Sequence, residues 1–233
     1  MNFDNHTKDY SEQVQRAIPV VAVKHEVFLS EKANQLVQLC LKQFGATSKL
    51  RVLDVGCGVG LMESALIGNF KSLVGVDVAS ESIEKAKETV RGAEFFKYDG
   101  VKLPFEEAKF DVVFACCVFH HIPAEQRSAV AQEMSRVCVN GGLVVIFEHN
   151  PLNPITRLIV SRCEFDQDAV LLQTLESKKL LREAGLDKIS CKQILYFPWR
   201  HKILKAIERL LSWIPLGAQY IAYGYKPTPK QLL

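Results

Sequence analysis

The chain has 233 residues, 48% of them hydrophobic and 24% charged, with a formal net charge of +3 and seven cysteines. That composition fits one globular domain with a full core, and so small a charge, with no long basic run, argues against a nucleic-acid partner. The polar start of the chain is no secretory signal, no apolar run is long enough to span a bilayer, and scattered cysteines in odd number read as reduced thiols of a cytoplasmic protein.

Residues 1–25 read as a leader outside the main fold. Ser30 is placed to cap a helix to Phe44, with Ala33, Leu36, Val37, Cys40 and Phe44 on one face and Gly45 ending it. Leu50 to Val55 is a short apolar run, the pattern of a buried parallel strand. Asp54 sits at its end, and Gly56, Gly58 and Gly60 follow before a helix. Glycine lets the backbone turn sharply and approach a ligand closely. A strand, a glycine turn and a helix N-terminus together form the place where open α/β sheets hold nucleotide-like ligands. The third glycine comes one residue too early for the dinucleotide fingerprint, and an acid beside the turn suits a ligand carrying positive charge.

Leu73 to Asp77 reads as the second strand, with Asp77 placed to accept hydrogen bonds from ribose hydroxyls. Ser80 caps the next helix, and Ala93 to Tyr98 is the third strand, closed by Asp99 and Gly100. Phe110 to Cys117 is the fourth, leaving through Val118-Phe119-His120-His121-Ile122. Pro123 opens a helix to about Val139. Asn140-Gly141-Gly142 then turns into a fifth strand, Leu143 to Phe147. Such alternation implies an α/β fold with a doubly wound, mostly parallel sheet.

Residues 149–174 show no clean period and read as a lid loop. Beyond it the pattern gives a helix from Ser177 to Ala184, a strand from Lys188 to Phe197, an amphipathic helix from Lys202 to Trp213 within an insertion at 199–217, and a last strand from Ala218 to Tyr225.

Taken together, Asp54/Gly56/Gly58/Gly60, then Asp77, Asp99-Gly100, the Phe-Asp-Val-Val strand ending in His-His-Ile, and Asn-Gly-Gly resemble the ordered motifs of the class I S-adenosylmethionine-dependent methyltransferases. The resemblance is firm over about residues 45–150. It implies a seven-stranded Rossmann-like sheet in a single domain, with residues 1–44 as a helical cap. It also implies S-adenosylmethionine as cofactor and S-adenosylhomocysteine as product. Asp54 and the glycine turn, with Cys57, are implied to hold the methionine part of the cofactor, and Asp77 and Val78 the ribose. Asp99 and Gly100 would meet the adenine, Cys116, Val118 and His121 the sulfonium side, and Tyr10 of the leader would close over it. Val59 occupies a position often held by Thr or Pro.

On the acceptor side, His120, His121 and His149 are the candidate catalytic residues, as general bases or as packing groups. Glu148, His149, Asn150, Arg157 and Arg162 are the candidate substrate contacts. Either arginine suits a carboxylate or phosphate, or an ion pair with Glu164, Asp166 or Asp168. Asp166-Gln167-Asp168 lacks further ligands at recognisable spacing, so no metal is expected. The expected acceptor is a hydroxyl or carboxylate oxygen of a small or medium biosynthetic metabolite. The alternatives are a peptide carboxylate, an amine, or a non-catalytic subunit of the same fold. The glycine spacing and Asp54 argue against a nicotinamide oxidoreductase. The 202–213 helix either roofs the pocket or rests on a membrane surface.

Overall fold

The computed structural model describes residues 25–163, 166, 168–196 and 214–228. The leader, including Tyr10, and the expected helix from Lys202 to Trp213 lie outside the described residues.

Within them the chain runs α1 (His25–Phe44), β1 (Arg51–Val55), α2 (Leu61–Leu66), β2 (Ser72–Asp77), α3 (Ser80–Thr89), β3 (Glu94–Lys97) and β4 (Phe110–Cys116). A 3₁₀ turn (Phe119–His121) leads into α4 (Ala124–Val137) and β5 (Cys138–His149). Then come α5 (Pro154–Val160), α6 (Thr174–Glu183), β6 (Asp187–Ile194) and β7 (Gln219–Tyr225). The strands form one seven-stranded sheet in the order β3-β2-β1-β4-β5-β7-β6. Only β7 runs against its neighbours, pairing antiparallel with both β5 and β6.

Strand alternation explains the two cores. Leu53, Val55, Val113, Ala115, Val144 and Ile146 pack on one face with Val130, Ala131 and Met134 of α4 and Leu180 and Leu181 of α6. Val52, Val112, Phe114, Leu143, Val145 and Phe147 pack on the other with Ala33, Leu36 and Cys40 of α1 and Met62 and Leu66 of α2. With both faces covered, each central strand reads as a continuous apolar run.

Several boundaries differ from the sequence expectation for physical reasons. Ser30 is not a cap: α1 begins at His25, and the Ser30 hydroxyl donates back to the Val27 carbonyl. Ser80 lies inside α3, whose N-cap is Ala79, and the Ala79 amide is satisfied by the Asp77 carboxylate. Asn140-Gly141-Gly142 is not a turn between elements, because β5 already starts at Cys138, opposite Phe110, and the glycines sit in a bulge where the register shifts. Residues 149–174 are not an unstructured lid. They contain α5, whose N-cap Asn153 accepts hydrogen bonds from the amides of Ile155 and Thr156, with Pro154 at the first position.

Candidate active site

The sheet order reverses between β1 and β4, and loops from these strands part there to leave a crevice at their C-terminal ends. A cavity of about 400 Å³ occupies it.

The glycine turn forms one wall. Gly56 and Cys57 donate their amides to the Val76 carbonyl at 2.7 and 3.0 Å, which fixes the turn over β2. Gly58 donates to the Asp77 carboxylate at 2.8 Å. A Cβ on Gly58 would point into open space, whereas one on Gly60 would lie 3.0 Å from Phe95 and Val90. Gly58 therefore leaves the cavity wall bare, and Gly60 allows α2 to pack closely on its neighbours. Asp54 lines the cavity but is only 2% exposed, and its Oδ1 has no hydrogen-bond partner. Burial, with Glu63 behind it, pushes the Asp54 carboxyl well above its usual range. A cationic ligand would reverse that penalty.

Cys57, Val78, Gly100, Cys116 and Val118 also line the cavity. Asp99 does not: it is exposed, and its Oδ1 accepts the amides of Val101 and Lys102, both at 2.8 Å. The neighbouring Tyr98 lines the cavity instead.

The opposite wall is a cluster of histidines. His120 is 2% exposed, and its Nδ1 lies 2.6 Å from Oε2 of the fully buried Glu148. Its Nε2 lies 3.3 Å from Asp166 Oδ1, and His121 Nε2 reaches that same oxygen at 3.4 Å. The His149 ring centroid is 5.2 Å from that of His120. Burial opposes the charged form of His120, but Glu148 and Asp166 outweigh it and push its pKa up to about 10. Burial pulls His121 and His149 down to about 4, and the charge on His120 adds to the shift. Burial raises Asp166, but the His120 hydrogen bond and the neighbouring histidines bring it down to about 2.

Not all the expected acceptor contacts reach the cavity. The Asn150 amide is buried and donates to the Gln193 side chain and the carbonyls of Pro215 and Gly217, so it ties β5 to the segment before β7. Glu148 acts through His120 rather than at the cavity surface. Arg157 and Arg162 are exposed and outside the lining.

Sequence reading missed Lys32, Ser82, Gln126, Thr156 and Gln219 in the lining. Lys32 carried a signal: it falls on the same helical stripe as Leu36 and Cys40 and is only 6% exposed.

Residues 53–146 match the family model described as a methyltransferase domain. Over that stretch the chain carries a methyltransferase domain. The enzyme is 28% identical over 191 residues to 27-O-demethylrifamycin SV methyltransferase of Amycolatopsis mediterranei, covering 73% of this chain and 66% of that one. It is 26% identical over 211 residues to methyltransferase GfsG of Streptomyces halstedii, covering 85% and 74%. The methyltransferase fold also superposes on magnesium protoporphyrin IX methyltransferase of Synechocystis, solved with bound SAH, with a TM-score of 0.65 at 16% identity over 96% of this chain and 97% of that chain.

The methyltransferase site fits its cofactor. The unpartnered Asp54 oxygen meets the need of a positively charged ligand, and the bare face of Gly58 gives it room.

Proposed function

We propose that the enzyme transfers a methyl group to a hydroxyl oxygen of a small or medium biosynthetic metabolite. Asp54 and the turn at Gly56–Gly58 would hold the methionine end of the cofactor, Asp77 the ribose, and Tyr98 and Gly100 the adenine side. When bound, the cofactor supplies an already activated methyl group for in-line displacement. The protein must then align the acceptor, exclude water and take the acceptor's proton.

The observation that carries this reading is the far wall of the cavity. His121, His149 and Asp166 line it beside Thr156, Ile159 and Cys163 of α5 and its exit. An alcohol has a proton to lose, and this wall offers groups to receive one. A carboxylate acceptor would need none. The first relative supports the same choice, since its name specifies a 27-O-demethyl acceptor.

Calorimetric titration with S-adenosylhomocysteine, with NADH as control, tests the cofactor half. Micromolar binding of the first and none of the second is expected. Transfer of labelled methyl from S-adenosylmethionine to a panel of alcohols, carboxylates, amines and peptides tests the acceptor half. Turnover of alcohols, cut at least tenfold by His149→Ala, is the expected result. Binding without transfer to any alcohol would overturn the proposal.

A further inference from the structure

We propose that His120, His121 and Asp166 bind a divalent transition metal, with zinc as the fitting probe, at the acceptor wall of the cavity. Three donor residues converge there, each offering a ligand atom within 4.8 Å of the other two. Both imidazole nitrogens face one carboxylate oxygen, at 3.3 and 3.4 Å. Those separations are long for charge-assisted N–H···O bonds, which close to about 2.7–2.9 Å. These two separations also equal the edge of a tetrahedron whose metal bonds are about 2.0–2.1 Å, an edge of roughly 3.3–3.4 Å.

A second observation points the same way. Glu148 Oε2 holds His120 Nδ1 at 2.6 Å inside the protein. That bond keeps a proton on Nδ1 and turns Nε2 towards Asp166, so a metal ion that displaces the Nε2 proton finds the ring already oriented. A carboxylate behind a histidine is the usual support of a metal-ligating imidazole, and it sets both the ring orientation and the tautomer. The Glu148 carboxylate is fixed in turn by the amides of His120 and His149. Two histidines and one carboxylate suit zinc, and three protein ligands leave a coordination position open. All three ligands line the cavity, so the open position faces the acceptor.

The ion would orient an acceptor oxygen and favour its deprotonated form. That use rests on the methyl-transfer reading, whereas binding of the ion does not.

The full chain, stripped with chelator, is titrated with zinc chloride against a chromophoric competitor and separately with cobalt chloride in the visible range. One equivalent of zinc should bind at micromolar affinity or tighter, and cobalt should show a tetrahedral band. Asp166→Ala and His121→Ala should each weaken zinc at least tenfold and abolish the band. Glu148→Gln should weaken zinc about 10- to 100-fold through His120. S-adenosylhomocysteine binding by Asp166→Ala reports folding and tests the cofactor reading independently. Zinc affinity unchanged in Asp166→Ala would place the metal elsewhere and overturn the site, as would no zinc binding by the wild-type chain.

Discussion

Replacing Gly58 with alanine tests where the cofactor lies. Gly58 has φ of +53°, in the left-handed region, and a Cβ there meets nothing within 4 Å. The cost to the fold is therefore backbone strain alone, about 1–2 kcal/mol. For a chain of this size each kcal/mol lowers the melting temperature by about 2–4 °C. The added methyl projects into the cavity, so the cost to binding is steric. Overpacking by one methyl costs about 1–3 kcal/mol, which weakens S-adenosylhomocysteine roughly 5- to 150-fold. Calorimetry and thermal melts on the same preparation separate the two effects. Gly60→Ala is the contrast: its Cβ strikes Phe95 and Val90 at 3.0 Å, so stability should fall further. Wild-type affinity in Gly58→Ala would mean that no ligand atom rests on the turn, and the cofactor placement would fail.

Asp77→Ala removes the acceptor for the Gly58 and Ala79 amides as well as the expected ribose contact, so S-adenosylhomocysteine should bind at least tenfold more weakly by calorimetry. Arg127 is 2% exposed and donates to the carbonyls of Ile122 and Val170 and to the half-exposed Glu176, so Arg127→Ala, which leaves those carbonyls without their donor, should cost about 1–3 kcal/mol in urea unfolding. Burial pushes the Glu63 carboxyl up from 4.5 to about 8. The folded state thus holds a proton that the unfolded chain has released. Stability from this group is complete below pH 4.5 and declines as pH rises towards 8, by at most about 1.4 kcal/mol per unit. In Glu63→Gln the fall in urea midpoint between pH 5 and 8 should flatten, and an unchanged slope would exonerate Glu63.

The cofactor side was legible because its signals are local: an acid at a strand end and glycines at fixed spacing need no tertiary knowledge. The acceptor side was not. Asp166 meets His120 across 46 residues, and Glu148 meets it across 28. Helix starts misled for a related reason. Ser80 has the chemistry of a cap, but the Asp77 carboxylate was already accepting the Ala79 amide. Asn150 and Arg157 lie in one short run. Only the fold showed that the first is locked in the interior and the second faces water.

The position of β7 between β5 and β6 has a consequence for biosynthesis. Along the chain β6 precedes β7, yet β7 is the strand to which β6 is hydrogen-bonded. During translation β6 leaves the ribosome with no partner strand. Meanwhile the apolar edge of β5 from Leu143 to Phe147 stays unpaired on one side until Gln219–Tyr225 has been made. An exposed strand edge in a nascent chain is a template for wrong pairing. Ribosome stalling just before this last strand should therefore yield a chain that clings to chaperones, and release of those final residues should be the event that frees it.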